Sequence, residues 1–525
     1  MTEDSFNACE WLLDRHVAAG RAGAPAYICR DRALSYGDLL RAVHGAANGL
    51  LGLGCRAGDR VLMVVDDEPA FPVLFLAAMR IGAVPVPVST MLRPAEIAPL
   101  AVDSGTTVLA CSARYADGIG EMIAGSGVAD VVVTDGPVPA APAPLAVHRL
   151  ADWDDPTPVA VAPTRPESVA LWLYTSGTTG QPKGAIHRHA DLKAVAETYA
   201  ATVLGVGPQD VCYSVPKLFF AFGLGNALIF PLAAGACSVI DPDPPTPARV
   251  AHLAARHRPT LFFAPPGFCA ALADSDVPGD ILASARATVT AGEVLPEEVQ
   301  RRFQARFGTE MLDGIGSTEA LHIFCSNHPG KVRPGTSGQP VSGYELRLLD
   351  EDGSEITSAD TPGALWVRGP SVAAGYWERP DLNSVTFVDG WLRTGDFYSR
   401  SEDGYYRFVG RNSDMIKTGG IWVSPAEVEG VLLEHPSVLE AAVIGSRDSS
   451  GLETTVAFVV PRRGETIDVA VLLEHCRRRM AAFKRPRQVH VVDALPRTAT
   501  GKVKRFELRA ALAATAASLS PAAPA

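Results

Sequence analysis

Short apolar runs alternate with helical repeats of apolar and polar positions from residue 60 to about residue 320. Val61–Val65 (VLMVV) is uninterruptedly apolar, as expected of a strand buried on both faces. Phe71–Ile81 then carries helical spacing, and Val84–Val88 returns to a strand pattern. Further on, Ala248–His257 and Glu297–Phe307 predict helices, and Thr260–Phe263 and Ala287–Thr290 predict strands. This alternation points to an α/β fold of parallel sheets covered by helices.

The texture changes between Lys331 and Gly410. Tyr344–Leu349 and Ala364–Arg368 alternate with period two, and Asp352-Gly353 supplies a turn, which predicts a small β-barrel at about 331–410. Beyond Arg411 the pattern is α+β. Helices are expected at Pro425–Leu433 and Val469–Met480, and strands at Val438–Ile444, Thr455–Val460 and Gln488–Val492. A boundary is therefore placed at 411/412, giving a large domain 1–411 and a small C-terminal domain 412–525. The Ala-, Ser- and Pro-rich tail 511–525 is expected to fray. No repeat of 20–50 residues is present.

One apolar run raises a different possibility. Leu218–Ile240 has no charge over 23 residues, enough to cross a bilayer. Gly223, Gly225, Asn226, Pro231 and Gly235 interrupt it, so a buried helix and loop lining a pocket is expected instead of a membrane span.

Composition narrows the function classes. With 525 residues, 47% hydrophobic and 20% charged, the chain suits a soluble enzyme with a large core. A net charge of −11 argues against a nucleic-acid partner. The nine cysteines form no CxxC and are odd in number, so reduced thiols in the cytoplasm are expected, not a zinc or disulfide framework. The start, MTEDSFNACEWLLDR, is acidic and carries no signal-peptide pattern.

The candidate chemistry begins at Tyr174–Gly184, YTSGTTGQPKG. It follows a predicted strand, Ser168–Tyr174, and a helical pattern starts at about Ala190. Glycines let successive N–H groups converge on an anion, hydroxyls add donors, and Lys183 adds charge. A flexible connector is the alternative. The spacing is not that of a Walker loop, because Pro182 precedes Lys183 and Gly184 follows it.

Thr175–Gly184 resembles the phosphate-binding signature of the adenylate-forming superfamily of acyl-CoA synthetases, adenylation domains and luciferases. Four further stretches resemble that family's motifs, in its order: Ala291–Pro296, Asp313–Glu319, Trp391–Asp396 with Gly410-Arg411, and Pro496–Lys502. The resemblance implies two helix-covered, mainly parallel sheets plus the barrel, followed by a mobile C-terminal lid.

It also implies roles. Thr175, Ser176, Gly177, Thr178, Thr179, Gly180 and Lys183 would hold the ATP phosphates. Gly292, Glu293, Asp313, Gly314 and Ile315 would face adenine, and Asp396 with Arg411 the ribose. Glu319 would bind Mg²⁺ with Thr318 alongside, and Lys502 would reach the carboxylate and the α-phosphate. Unit charges about 4 Å apart at an effective dielectric of about 20 interact by roughly 4 kcal/mol, so one lysine can weigh heavily. Gly419 and Gly420 would line the pantetheine tunnel for CoA, and Ser413 or Asp414 would be the hinge. Relatives carry Asp or Lys where Ser413 stands, which leaves the bending residue open.

Lys217–Asn226 and Gly316–Phe324 resemble the benzoate-CoA ligase branch. The resemblance places Ala221, Phe222, Gly223, His322 and Ile323 around an aryl ring, with His322 as a donor to the carboxylate. Relatives usually have Tyr at Phe222 and often Met at Ala320, so hydroxy-, amino- and heteroaryl acids stand beside benzoate. The implied function is an ATP-dependent aryl-CoA ligase, with ATP, Mg²⁺ and CoA and a small aromatic carboxylic acid. One alternative is an adenylation enzyme loading an acyl carrier protein. Another, of a different class, is a non-catalytic acyl-nucleotide binding protein. Oligomeric state is left open.

Overall fold

The computed structural model describes residues 5–134, 136, 145–176, 182–411, 414–418, 421–447, 453–497 and 503–519. By internal packing the chain divides into two units. The first comprises Met1–Leu295, Val299–Leu346 and Val367–Arg393; the second comprises Pro296–Glu298, Arg347–Trp366 and Thr394–Ala525.

The first unit contains the two sheets of mainly parallel strands. One runs in the order Val84–Pro87, Arg60–Val64, Val108–Cys111, Asp130–Val133, Ala146–Arg149, parallel throughout. The other has nine strands in the order Gln339–Pro340, Ile323–Ser326, Met311–Gly316, Ala287–Thr290, Leu261–Phe263, Val211–Ser214, Cys237–Ile240, Pro25–Cys29, Arg32–Ser35. It is parallel from Pro25–Cys29 through Met311–Gly316 and antiparallel at its ends. The apolar runs read from the sequence are these inner strands, and Leu62, Val64, Leu109, Val131, Phe262 and Met311 are fully buried. Helices return the chain between strands and cover the faces. Pro247–His257 starts on Thr246, whose hydroxyl accepts the N–H of Arg249, with Pro247 in the first turn.

A third, three-stranded antiparallel sheet joins Gly375–Tyr376, Pro182–Arg188 and Val169–Ser176. The helix begins at His189, about where the sequence placed it, but the glycine-rich stretch is followed first by a strand, Pro182–Arg188, that the sequence did not predict.

Leu218–Ile240 is neither a long helix nor a span. It is a buried helical stretch, Ala221–Leu224, Gly225–Ile229 and Phe230–Ala234, followed by the strand Cys237–Ile240. Its middle section, Gly225–Ile229, is π-helical. Among the described residues no helix is long and apolar enough to cross a membrane. All nine cysteines are buried and unpaired.

In the second unit, Val438–Arg447 pairs antiparallel with Glu453–Pro461, which Gln488–Val491 joins in parallel. Helices Pro425–Leu433 and Val469–Arg479 bury Val428, Leu432, Leu472 and Cys476 against this sheet. Of the segment 511–525 expected to fray, residues 511–519 belong to the helix Arg505–Leu519, in keeping with alanine's high helix propensity, and 520–525 lie outside the described residues.

Candidate functional site

The parallel strands of the first unit end in the segments that carry the candidate residues, as the general rule for α/β sheets requires. After Met311–Gly316 the chain enters a single turn, Thr318–Ala320, capped by the Ser317 hydroxyl, which accepts the N–H of Ala320. Three successive carbonyls of this turn are each held from outside it. The Thr318 carbonyl accepts from His187 Nε2 at 2.8 Å, that of Glu319 from the Ala373 N–H at 2.8 Å, and that of Ala320 from Ser371 Oγ at 2.6 Å. The next residue, Leu321, takes the left-handed φ of 64°, unusual for a branched side chain. Three tethers and a strained exit fix the backbone beneath Glu319. His187 is itself anchored, with Nδ1 3.1 Å from the fully buried Asp191, which also accepts from Arg188.

Glu319 Oε1 accepts the Tyr376 hydroxyl at 2.6 Å. Burial, followed by the charge of Glu319, holds that phenol well above its usual pKa, so it stays a donor. Among the described residues Oε2 has no hydrogen bond or ion pair. Nor do the described residues contain a group of three or more metal-ligating His, Cys, Asp or Glu. One positioned carboxylate oxygen and no protein cage suit Mg²⁺, which binds through one or two carboxylates and substrate phosphates. Lys183 stands opposite Thr175 in the hairpin, its Nζ 4.5 Å from the centre of the Tyr376 ring. Gly177, Thr178, Thr179 and Gly180, and the side chain of Ser176, lie outside the described residues.

The adenine candidates separate. Asp313 on Met311–Gly316 lies opposite Thr290 on the neighbouring parallel strand. Among the described residues Asp313 Oδ1 and Thr290 Oγ1 are both buried without partners. Burial pushes the Asp313 carboxyl well up, against the Ser337 hydroxyl, which donates to Oδ2 at 3.5 Å. Two orphaned polar atoms side by side suit a polar ligand edge. Gly292 takes φ 90°, a conformation that favours glycine. Glu293 is turned to the framework, where Oε2 accepts the N–H of Gly267 in the first turn of Pro266–Ala273. Gly314 packs under Ile323: a Cβ there would meet Ile323 Cγ2 at 3.0 Å and the Cys325 carbonyl at 2.9 Å.

The acyl candidates do come together. Ala221, Phe222 and Gly223 open the buried helix, and the Phe222 ring lies 5.5 Å from the His322 ring. His322 is enclosed further by Phe230 at 4.5 Å and Tyr199 at 5.3 Å. A Cβ on Gly223 would sit 2.0 Å from the Lys217 carbonyl, and one on Gly225 would sit 2.2 Å from His322 Cδ2, so neither site has room for a side chain. Ile323 is buried beside His322. Burial pushes the imidazole down to about 3, leaving it neutral at physiological pH. Its Nε2 lies 3.0 Å from Asn226 Oδ1. The loop entering the helix is held by the buried Asp67, whose Oδ1 accepts the N–H of Leu218 at 3.0 Å.

In the second unit, Asp396 and Arg411 face each other across paired strands, with Arg411 Nε 2.8 Å from Asp396 Oδ1. Asp396 is buried while Arg411 is exposed, so the guanidinium steadies a carboxylate that water barely reaches. Asp414 accepts from Arg509 at 2.9 Å and so is tied to the C-terminal helix. Ser413, Gly419, Gly420 and Lys502 lie outside the described residues. The flanking strands Ile416–Thr418 and Ile421–Val423 pair with Thr418 opposite Ile421.

Sequence reasoning missed His187, Asp191, Ser371, Tyr376, Asn226 and Asp67. His187 and Asp191 lie just past the glycine-rich motif, but no spacing indicated that they would reach Thr318. Asn226 left a signal, a lone amide in a charge-free run.

Comparison with known proteins bears on this arrangement. The profile of the family described as AMP-binding enzyme matches residues 14–377, and that of the AMP-binding enzyme C-terminal domain matches 427–502. The chain is 43% identical to a benzoate–CoA ligase of Thauera aromatica, over 97% of this chain and 96% of that protein. The solved structure of a benzoate CoA ligase from Burkholderia xenovorans superposes with a TM-score of 0.87 at 39% identity, covering 96% of this chain and 100% of that one. A p-hydroxybenzoic acid–AMP ligase of Mycobacterium tuberculosis is 36% identical over 96% of this chain and 68% of its own length.

Proposed function

This chain belongs to the AMP-binding enzyme family, and from that premise we propose that it is an ATP-dependent aryl-CoA ligase whose acid is benzoate or a close relative. The observation that carries the reading is near-full-length similarity to benzoate–CoA ligases, together with a fixed carboxylate turn at Glu319 beside an aromatic-walled histidine.

The reaction has two steps. A carboxylate oxygen of the acid attacks the α-phosphorus of ATP, the bond to the β-phosphate bridge breaks, and pyrophosphate leaves. The thiolate of CoA then attacks the acyl carbon, the bond to AMP breaks, and AMP leaves. Negative charge crowds the first step, so catalysis there is positioning and electrostatics.

Thr175–Gly180 and Lys183 hold the phosphates. Asp313, Gly314, Ile315 and Gly292 border the adenine, and Asp396, braced by Arg411, accepts from the ribose hydroxyls. Glu319, with Thr318 alongside, holds Mg²⁺. Bound there, the ion would supply positive charge to the phosphate oxygens. Lys502 bridges acid and α-phosphate. Ala221, Phe222, Gly223, His322 and Ile323 surround the ring, and Gly419-Gly420 admit the pantetheine arm. Residues 1–411 act as the binding domain and 412–525 as a lid that turns near Ser413-Asp414. Nine unpaired, buried cysteines favour the cytoplasm.

Similarity to a p-hydroxybenzoic acid–AMP ligase supports formation of the adenylate, and in a second reading the thiol that accepts the acyl group belongs to a carrier protein. Pyrophosphate release across aromatic and aliphatic acids, with CoA, with a phosphopantetheinylated carrier and with neither, tests both. No release with any aryl acid refutes adenylation, and the preferred thiol selects the acceptor.

A further inference from the structure

A hydrogen-bond chain with a fixed direction ends on the ring of His322. It begins at the Pro216 carbonyl, which can only accept, so the Ser214 hydroxyl, 2.9 Å away, donates to it. With its proton committed, Ser214 Oγ accepts from Asn226 Nδ2 at 3.5 Å, the longest link in the chain. Asn226 thereby turns Oδ1 toward His322 Nε2 at 3.0 Å, and only a protonated Nε2 can donate to it. Asn226 is fully buried and His322 almost so. A neutral ring carries one N–H, which leaves Nδ1 as a bare lone pair, and that atom is buried without a partner among the described residues.

We propose that Asn226, oriented by Ser214, is a positioning residue for the acyl site. It fixes His322 in the Nε2–H tautomer, so that the ring accepts through Nδ1, and it thereby favours aromatic acids bearing a hydroxyl or amino donor over those without one. Burial, which pushes the imidazole down to about 3, keeps the ring out of the doubly protonated state in which this polarity would vanish. On this proposal the ring proton points to Asn226, with the Phe222 carbonyl also against the ring, and His322 meets the acid as an acceptor where the sequence suggested a donor to the carboxylate. An unpartnered buried acceptor is unfavourable by about 1–3 kcal/mol, so a ligand donor reaching it is rewarded. The inference rests on reading residues 221–223 and 322–323 as the acyl site.

The test uses the whole chain with ¹⁵N-labelled histidine. Side-chain nitrogen NMR identifies His322 as the ring signal lost in His322→Gln. The wild type is expected to show a protonated Nε2 and a bare Nδ1. Asn226→Leu and Ser214→Ala should mix the two tautomers. In pyrophosphate release, Asn226→Leu should lower the ratio of kcat/KM for hydroxy- or aminobenzoates to that for benzoate by roughly five- to tenfold, the size of one lost hydrogen bond, with KM for ATP unmoved.

A protonated Nδ1 in the wild type, or a tautomer unmoved by both Asn226→Leu and Ser214→Ala, overturns the proposal. Ser214→Ala removes one hydroxyl only, so the test survives if Asn226→Leu does not fold. If the tautomer shifts while Asn226→Leu and His322→Gln both leave the acid profile intact, the acyl-site reading fails, and the specificity role with it.

Discussion

Gly225→Ala sets two magnitudes against each other. The residue lies inside a helical stretch at φ −61°, where alanine is favoured over glycine by about 1 kcal/mol. A Cβ there, however, would stand 2.2 Å from His322 Cδ2 and 2.8 Å from Nε2. Carbon atoms settle at about 3.5–4.0 Å, so the ring must retreat by more than about 1 Å. Phe230, Tyr199 and Phe222 enclose it with centroids at 4.5, 5.3 and 5.5 Å. Overpacking of this kind destabilises by about 1–3 kcal/mol. The retreat also breaks the buried bond to Asn226, for about 1–3 kcal/mol more. The opposing terms exceed the helix gain, so the net change is destabilising by about 1–5 kcal/mol. The urea midpoint of the variant should fall below that of the wild type. KM for the aryl acid should rise on the order of tenfold with KM for ATP unchanged, because the displaced ring lines the proposed acyl site. A midpoint at or above the wild-type value would mean the ring yields freely and would refute the argument.

Three further outcomes are expected. Tyr376→Phe keeps the ring over Lys183 but removes the donor to Glu319 Oε1; loss of one charge-assisted hydrogen bond, about 1.5–3 kcal/mol, should cut kcat/KM for pyrophosphate release by roughly ten- to a hundredfold and move its Mg²⁺ dependence, and an unchanged Mg²⁺ titration would remove Tyr376 from the site. Asp67 is held up to about 6 mainly by burial; a raised acid stabilises the fold below its unfolded value near 3.8 and loses that contribution as pH rises through about 6. Asp67→Asn should therefore gain stability relative to wild type at pH 8, on the order of 3 kcal/mol, with the gain shrinking as pH falls from 6 toward 4, and a pH-independent difference would show that the carboxylate is not the source. Lys502→Ala should abolish pyrophosphate release yet still pass acyl groups from supplied acyl-AMP to the thiol, and equal loss of both half-reactions contradicts the separation of roles.

The inner strands were legible because burial on both faces writes itself as an unbroken apolar run. Val61–Val65 lies within a residue of the strand Arg60–Val64. Ala287–Thr290 and Val438–Ile444 also fall on strands, although the first carries two threonines and the second, at a sheet edge, carries Glu440. Pro182–Arg188 was not legible as a strand, because proline, lysine and glycine at its start read as loop and its partners are set by tertiary pairing. Residue type and order named two pairs that the structure brings together, Asp396 with Arg411 and Phe222 with His322. The site was illegible where one side chain acts through another's backbone. His187 reaches Thr318 across 131 positions and Ser371 reaches Ala320 across 51, and neither distance leaves a local signal. Glu293 sits within a recognisable motif, yet its carboxylate serves a helix terminus, which only coordinates reveal.

The arrangement around Tyr376 explains how a lysine and a carboxylate can serve one triphosphate without cancelling each other. In a Walker loop a helix N-terminus supplies part of the positive field, but here the flanking segments are antiparallel strands and the helix starts nine residues beyond Gly180, at His189. In the proposed reading the positive contribution therefore falls to Lys183. A direct Lys183–Glu319 ion pair would neutralise both charges the proposed reaction uses. The Tyr376 ring takes Lys183 on its face and Glu319 on its hydroxyl, and among the described residues Lys183 has no ion pair. The ring anchors both groups while leaving the cation free for phosphate and one carboxylate oxygen free for a metal ion. A neutral aromatic residue that can also donate is the side chain able to do both, which is why phenylalanine should preserve the lysine's seat and still impair the metal-dependent step.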